Sequence, residues 1–260
     1  MKIGLYQYQI SWENKKENIG KLRSALETIS EDIDLLLLPE MSFTGFSMNT
    51  KITGEKDGET KEQIKSLCKK YNIAMGFGWV NGTEKSENHY TVISREGNTI
   101  SDYIKIHPFS FSGEDNYFVG GESISCFELE ETRFSSLICY DLRFPELFRV
   151  ASKKADVIVV PANWPQKRRE HWITLLKARA IENQVYIIGI NCVGDIGGLS
   201  YSGDSAVIAP DGSVLLDVGD IEGIVTYGFS NMVKKYRDEF PTYRDRKDEL
   251  YSKLQKEAIK

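Results

Sequence analysis

The stretch Phe134-Ser-Ser-Leu-Ile-Cys139-Tyr-Asp-Leu-Arg-Phe-Pro-Glu146 places a cysteine at the point where an apolar, β-favouring segment stops. Charged and turn-forming residues follow Cys139 at once, so the pattern predicts a buried strand that ends at this residue. In open α/β sheets, the carboxyl ends of the strands face the crevice where ligands bind. Cys139 is therefore a candidate nucleophile, provided that a base and an anion-stabilising group lie within reach.

The overall composition is ordinary for a globular protein, with 41% hydrophobic and 27% charged residues in a chain of 260. The formal net charge of -5 argues against a nucleic-acid partner, because no basic block offsets it. The short basic patch Lys167-Arg168-Arg169 is followed by Glu170, and we interpret it as the solvated start of a helix.

The four cysteines, at positions 68, 126, 139 and 192, are scattered and lack the spacing of a zinc site or a disulfide scaffold. No apolar run approaches the roughly 18–20 residues that a membrane span needs. The chain passes from Met1 into a strand-like segment without a charged-then-apolar leader. We therefore expect a cytoplasmic protein with no membrane partner, in a reducing compartment where free thiols persist.

Strand-like and helix-like segments alternate along the chain, without a linker or a low-complexity segment between them. Residues 34–39 and 156–161 share one pattern, an acidic residue followed by four apolar residues and a proline. The alternation in both halves predicts two packed sheets with helices outside, a four-layer α-β-β-α sandwich. Buried parallel strands also resemble one another by composition alone, and the fold prediction does not depend on the shared pattern. We expect one α/β domain over residues 1–260.

Histidine is the usual base for a cysteine nucleophile, and the chain has three. His89 lies in an apparent hairpin and is interpreted as a surface strand residue. His171 stands beside Trp172 in a predicted helix, which is typical of a packing or capping histidine. His107 lies at the mouth of a loop. Because none of the three follows a buried strand end, a Cys-His pair is disfavoured.

Two other residues share the position of Cys139 at a strand end. Glu40 follows the apolar run 35–38 and Pro39, and Lys105 closes the predicted strand 99–104. A carboxylate beside a thiol acts as a general base, and a lysine favours both the thiolate and an oxyanion. Each residue also has a plain structural interpretation. Glu40 could be a loop carboxylate, Lys105 a solubilising residue at a strand end, and Cys139 a small buried hydrophobe. The residue types alone leave both interpretations open.

Three ordered segments resemble the glutamate, lysine and cysteine motifs of the nitrilase (carbon–nitrogen hydrolase) superfamily: Leu37-Leu-Pro-Glu40-Met-Ser-Phe-Thr-Gly45, Tyr103-Ile-Lys105-Ile-His107 and Leu137-Ile-Cys139-Tyr-Asp-Leu-Arg-Phe-Pro-Glu146. Three later segments are similar to further motifs of the same family: Pro161-Ala-Asn-Trp-Pro165, Ala178-Arg-Ala-Ile-Glu-Asn183 and Gly203-Asp-Ser-Ala-Val-Ile-Ala-Pro-Asp-Gly212. The matching segments fall within residues 3–227, nearly the whole chain.

This resemblance implies an α-β-β-α sandwich and a catalytic triad of Glu40, Lys105 and Cys139. Cys139 would attack an amide carbonyl while Glu40 takes the thiol proton and delivers one to the leaving nitrogen. Glu40 would then activate the water that hydrolyses the thioester. Lys105 and the backbone N–H of Tyr140 would hold the oxyanion. No metal ion or organic cofactor is expected, because thiol, base and cation cover each step.

Members of the family also place a second glutamate near the cysteine. In the loop Phe109-Ser-Phe-Ser-Gly-Glu114-Asp115, Glu114 is the best positional match and Asp115 is its rival. We expect Phe111, Asn163 and Trp164 to form walls of the substrate pocket, with loop packing as the alternative role of Trp164.

The residues around the cysteine look most like the ω-amidase branch, whose members hydrolyse the terminal amide of small α-keto acids such as 2-oxoglutaramate. True nitrilases usually carry Cys-Trp-Glu, and Tyr140-Asp141 departs from that pattern, which argues against nitrile hydrolysis. Arg143 could bind a substrate carboxylate, or it could pair with Glu146 or Asp141 at the helix start. Another amidase or a carbamoylase of the superfamily is the alternative enzyme, and a non-enzymatic scaffold is disfavoured.

The resemblance also implies a homodimer. Members of the family commonly pair through a helix near the cysteine and through the C-terminal extension. Residues 144–150 and 236–251 would supply those two surfaces, and the mixture of aromatic and charged side chains in the tail is compatible with such a surface.

Overall fold

Strands and helices alternate in the computed structural model, which describes residues 1–258. Positions 259–260, at the end of the predicted domain, lie outside the described residues. The strands are β1 (Lys2–Gln7), β2 (Leu35–Leu37), β3 (Gly54–Glu55), β4 (Ala74–Asn81), β5 (Glu87–Ile93), β6 (Thr99–Ile104), β7 (Cys126–Leu129), β8 (Thr132–Ser136), β9 (Val157–Pro161), β10 (Tyr186–Ile190), β11 (Val193–Ile196), β12 (Leu199–Ser202), β13 (Ala206–Ile208), β14 (Val214–Asp217) and β15 (Gly223–Gly228). The helices are α1 (Lys15–Thr28), α2 (Thr50–Thr53), α3 (Glu59–Tyr71), α4 (Pro145–Ala151), α5 (Arg169–Asn183), α6 (Val233–Glu239) and α7 (Asp248–Ala258).

Two large sheets form the centre of the molecule. The first has the order β15-β1-β2-β4-β5-β6, with β3 beside β4, and the second has the order β14-β13-β10-β9-β8-β7. Three central strands of each sheet are parallel, β1, β2 and β4 in the first and β8, β9 and β10 in the second. The apolar runs that share a pattern in the sequence thus become β2 and β9, one in each sheet.

The central strands of the first sheet are buried on both faces, which explains why β2 is a continuous apolar run. Leu35 and Leu37 face the second sheet, whereas Leu36 and Leu38 pack toward α1 and α3. On the far side of the second sheet, α4 and α5 join the core that lies between the sheets. The order of layers is therefore helix, sheet, sheet, helix, and the predicted α-β-β-α sandwich is confirmed.

Chain direction brings several strand ends to one edge. β5 is antiparallel to both β4 and β6, so β6 runs the same way as β2 and β4. The residues that follow β2 and β6, and those that precede β5, consequently lie at the same edge of the first sheet. The residues that follow β8 and β9 lie at the facing edge of the second sheet, and a crevice opens between the two edges.

One boundary near this crevice differs from the expectation, which placed the end of the strand at Cys139. β8 ends at Ser136, three residues before Cys139, and Cys139 opens a short 3-10 helix, Cys139–Arg143. Cys139 has a φ of 45°, in the left-handed region that few side chains adopt, so the strand cannot continue through it.

Among residues 1–258, no helix combines the length and the apolarity needed to cross a membrane.

Candidate active site

Glu40 lies in a tight turn that directly follows β2. The Ser42 hydroxyl donates to the carbonyl of Pro39 at 2.6 Å and accepts the N–H of Gly78 at 2.9 Å, which fastens the turn to β4. A side chain at Gly78 would collide with this turn, because a Cβ there would lie 2.2 Å from the nitrogen of Met41. The turn therefore holds Glu40 rigidly, with its side chain fully buried.

Lys105 follows β6 and joins two buried carboxylates. Its Nζ lies 2.9 Å from Oε1 of Glu40 and 2.9 Å from Oε2 of Glu114. All three side chains are at most 1% exposed, so their charges interact with little screening by water. The structure thus brings together all four residues that the sequence analysis assigns to catalysis: Lys105 contacts both glutamates, and Glu40 adjoins the Cys139 thiol.

Glu114, rather than Asp115, is the residue of the 107–122 loop that faces the lysine. The Glu114 carboxylate accepts both the lysine ammonium and the backbone N–H of Phe109, which anchors the loop. The side chain of Asp115 is exposed to solvent. The two neighbours in sequence therefore differ completely in environment.

Cys139 lies at the floor of the crevice, and Asp141 holds the turn that carries it. The buried carboxylate of Asp141 accepts the N–H of Ile138 at 3.0 Å and the Tyr103 hydroxyl at 2.7 Å. It also accepts the backbone N–H of His107 at 3.0 Å. Asp141 therefore ties the cysteine turn to the segment that carries Lys105.

Burial and the neighbouring Glu40 raise the pKa of the Cys139 thiol well above its usual range, and the charge of Lys105 only partly opposes this rise. The effect of Lys105 has the predicted sign, but it does not produce a standing thiolate. At neutral pH the resting thiol is protonated, so its attack on a substrate requires a base.

The pKa values of the two charged side chains in the cluster, Lys105 and Glu114, are also shifted. Burial would lower the pKa of Lys105, but Glu114 and Glu40 outweigh it and raise that pKa, so the ammonium is a permanent cation. Burial raises the pKa of Glu114, with Lys105 acting in the opposite direction. The cluster therefore places a fixed positive charge beside the nucleophile.

A pocket of about 160 Å³ opens above Cys139, and three cationic side chains line it in addition to Lys105. These are Arg143, Lys167 and Arg168, and none of them forms an ion pair with a carboxylate within residues 1–258. The pocket is small and has aromatic walls, which suits a short ligand with an anionic group. The basic patch opens α5 with Lys167 and Arg169 exposed, as the sequence analysis interpreted it, but Lys167 and Arg168 also line the pocket, which that analysis did not expect.

Arg143 does not form the structural pair expected with Glu146 or Asp141. Its guanidinium lies over the ring of Trp164, 4.8 Å from the centroid, and donates toward Nδ1 of His171 at 3.3 Å. Burial and the charge of Arg168 lower the pKa of Arg143. An anion in the pocket would relieve that repulsion.

The remaining predicted pocket residues all line the cavity but differ in what they do. Asn163 donates its backbone N–H to Oε2 of Glu40 at 3.0 Å, so it also orients the carboxylate from the opposite sheet. Trp164 is 3% exposed and donates its Nε1–H to the carbonyl of Arg168, which combines packing with a wall position. Tyr140 packs against Phe109, and Phe111 is 84% exposed at the rim.

None of the three histidines contacts the carboxylate–lysine cluster. His107 stacks on Phe144 and bonds Asp141, and His171 is exposed beside Arg143. The prediction that His89 is a surface residue is wrong: it is 6% exposed. Burial alone would lower the pKa of His89, but hydrogen bonds to Asp102 and Glu87 raise it. Strand pairing explains the burial of His89, because side chains of the neighbouring strands, Trp79 on β4 and Asp102 on β6, pack against its ring.

Asn88 is a site residue that the sequence analysis missed. It is 1% exposed and donates to Oε1 of Glu40 at 2.9 Å and toward Oε1 of Glu114 at 3.3 Å. It stands at the beginning of an antiparallel strand, so a search for polar residues after apolar runs does not find it.

Comparison with known proteins agrees with this geometry. The carbon–nitrogen hydrolase family matches residues 2–238. The 2-oxoglutaramate amidase of Bacillus subtilis strain 168 is 35% identical over 96% of this chain and 98% of its own length. Omega-amidase YafV of Escherichia coli strain K12 is 32% identical, over 94% of this chain and 96% of its own length.

Among solved structures, XC1258 from Xanthomonas campestris, a CN-hydrolase superfamily protein with an arsenic adduct in its active site, superposes with a TM-score of 0.89. It is 31% identical, and the match covers 95% of this chain and 97% of that one. The family match extends over most of the chain, and the sandwich architecture agrees with it. This chain belongs to the carbon–nitrogen hydrolase family.

Proposed function

We propose that this protein is an amidase that hydrolyses the terminal amide of a short, carboxylate-bearing substrate such as 2-oxoglutaramate. The observation that carries the proposal is the direct contact of Glu40, Lys105 and Glu114 beneath a small pocket with cationic walls. The relatives named 2-oxoglutaramate amidase and omega-amidase support the same substrate class.

The reaction begins with attack by the cysteine sulfur on the amide carbonyl. Because the resting thiol is protonated, Glu40 takes its proton as the S–C bond forms and the carbonyl π electrons move onto oxygen. The permanent cation of Lys105 and the backbone N–H of Tyr140 stabilise the resulting oxyanion. Glu40 then gives the proton to the substrate nitrogen as the C–N bond breaks, and ammonia leaves a thioester on Cys139.

Water completes the cycle. Glu40 takes a proton from water as its oxygen bonds to the thioester carbon, and collapse of this second tetrahedral intermediate breaks the C–S bond. The cysteine sulfur recovers the proton from Glu40, and the product acid loses its remaining proton to water and leaves as a carboxylate. One carboxylate thus moves every proton in both halves of the reaction, and Glu114 keeps the lysine in place.

The cationic wall selects the substrate. Arg143 and Arg168 line the pocket that holds Cys139, so a carboxylate that binds them extends the substrate from the guanidinium groups toward the sulfur. Guanidinium groups bind carboxylates through paired hydrogen bonds. A short amide with its carboxylate at the opposite end fits this arrangement.

The test is ammonia release from 2-oxoglutaramate by the wild-type protein and by Cys139→Ala. We expect turnover in the wild type and its loss in the variant. Cys126→Ala is the matched control, because Cys126 is an exposed thiol on β7 that does not line the pocket. Full activity of Cys139→Ala would refute the proposal.

A panel of neutral amides and carbamoyl compounds extends the test. Release of carbon dioxide together with ammonia would identify a carbamoylase instead, and equal turnover of neutral amides would identify an amidase without carboxylate selection. We expect the carboxylate-bearing ω-amides to be preferred.

A further inference from the structure

The buried amide of Asn88 stands between the two glutamates of the site, and no step of the reaction described above uses it. It projects from β5 toward the crevice, whereas its neighbour His89 projects to the opposite face. Asn88 does not line the substrate pocket. Its contribution must therefore pass through the groups that it touches.

Asn88 and Lys105 bind the same two oxygen atoms. Oε1 of Glu40 accepts Nζ of Lys105 at 2.9 Å and Nδ2 of Asn88 at 2.9 Å. Oε1 of Glu114 accepts the same two donors, at 3.1 Å and 3.3 Å. A charged donor and a neutral donor thus bridge the two carboxylates together.

The main chain keeps these two donors in register. The carbonyl of Asn88 accepts the N–H of Lys105 at 2.9 Å, directly beyond the pairing of His89 with Ile104. The amide and the ammonium consequently cannot move apart without breaking the ladder between β5 and β6.

The direction in which the amide points is also informative. Oδ1 of Asn88 is buried and has no hydrogen-bond partner within residues 1–258. An unpaired buried oxygen costs free energy. Turning the amide over would place this oxygen against two carboxylates, which is worse, so the donor end faces them. The residue is suited to donation toward the glutamates and to little else.

The charge balance of the cluster explains the need for such a donor. Two carboxylates share one ammonium, and burial already raises the pKa of Glu114. Hydrogen bonds donated to a carboxylate favour its ionised form without adding a further charge. An aspartate at this position would instead add a third negative charge.

These contacts also determine which oxygen of Glu40 receives protons. Two donors occupy Oε1, whereas among residues 1–258 a single N–H, that of the Asn163 backbone, donates to Oε2, at 3.0 Å. We propose that Asn88 is a positioning residue that, with Lys105, holds Oε1 of Glu40 so that Oε2 receives the proton from Cys139. This inference rests on the proposed amidase function.

The test compares Asn88→Leu, which keeps the size but removes both donors, with Thr91→Val on the same strand. Thr91 is buried, but its side chain lies on the opposite face of β5. There its hydroxyl accepts the Nε1–H of Trp79 and donates to the carboxylate of Asp102. For Asn88→Leu we expect kcat to fall about 10- to 100-fold with KM changed less than about threefold, since the residue acts on a proton-transfer group outside the pocket. The acidic limb of its pH profile should move to higher pH, and Thr91→Val should retain the wild-type profile.

Asn88→Asp is the second variant, which keeps the test decisive if Asn88→Leu does not fold. Its new carboxyl can donate a hydrogen bond only when it is protonated, so its activity relative to wild type should rise as the pH falls. A relative activity that does not depend on pH, or a kcat of Asn88→Leu equal to that of Thr91→Val, would overturn the proposal.

The rate of Cys139 alkylation by iodoacetamide, measured against pH, separates this inference from the proposed function because it needs no substrate. We expect the alkylation profile to move to higher pH in Asn88→Leu and to stay in place in Thr91→Val. If the wild-type protein is inactive on every amide but the alkylation profile still shifts in Asn88→Leu, the proposed function is refuted and the positioning role is kept. Active protein without the shift would refute the positioning role alone.

Discussion

Replacement of Arg143 by methionine tests substrate selection most directly. Arg143 lines the pocket, lies over Trp164 and forms no ion pair with a carboxylate within residues 1–258. Methionine keeps an unbranched apolar stem over the tryptophan and removes the charge. The variant should therefore lose affinity for an anionic group while the cluster around Lys105 stays in place.

The size of the effect follows from Coulomb's law. Opposite unit charges 4 Å apart attract by about 4 kcal/mol at an effective dielectric constant of about 20, and by about 1 kcal/mol in bulk water. Arg143 is partly exposed and has a second cation, Arg168, beside it, so the lower half of this range applies. A loss of about 2 kcal/mol corresponds to roughly a 30-fold decrease in kcat/KM.

The assay measures ammonia release from 2-oxoglutaramate and from a neutral primary amide of the same length. We expect Arg143→Met to lose about 30-fold in kcat/KM on the anionic amide and little on the neutral one. Lys154→Met is the matched control, because it removes an exposed positive charge outside the pocket. An equal loss on both substrates, or an unchanged kcat/KM on the anionic amide, would contradict the assignment of Arg143 to carboxylate recognition.

Three further predictions concern stability and assembly. His89→Gln should lower Tm most below pH about 6.5, and this difference should shrink as the pH rises through the raised folded pKa of His89, because only the charged imidazole is stabilised by its carboxylates; a difference independent of pH would contradict this pairing. Gly78→Ala should reduce both Tm and activity, because its Cβ would collide with the turn that carries Glu40, whereas Gly20→Ala, with open space in α1, should raise stability by about 0.5–1 kcal/mol. Sedimentation at micromolar concentration should show a species of twice 29.6 kDa, joined through residues 144–150 and 236–251, and a single 29.6 kDa species would exclude the dimer.

The fold could be predicted largely from local patterns. The runs that became β2 and β9 are short, continuously apolar and closed by proline, which is how strands buried on both faces appear in a sequence. Polar residues that follow such runs must lie at the carboxyl edge of a sheet. These strand-end positions made Glu40 and Lys105 candidates, and the resemblance of three motifs to one family then implied them as partners of Cys139.

The predictions that missed a residue's surroundings near the site share one cause: residues distant in sequence form those surroundings. His89 looked like a surface residue because its own segment is polar, yet Asp102 from β6 and Trp79 from β4 enclose it. Arg168 lies at the start of α5, as the sequence indicated, but no local pattern showed that it also lines the pocket. Arg143 had two acidic neighbours in sequence, but Asp141 is occupied with other donors.

By itself the sequence determined the layers of the sandwich, because periodicity is a local property, and its motifs carried the resemblance that implies Cys139, Glu40 and Lys105 as nucleophile, base and cation. Only the tertiary structure decided that Glu114 faces Lys105 while Asp115 faces solvent, and that Asn88 joins both glutamates. Those outcomes depend on which strands pair and how a loop folds back over them. The physical reason is that a side chain's charge state and partners are set by contacts across the sheets, which no local pattern encodes.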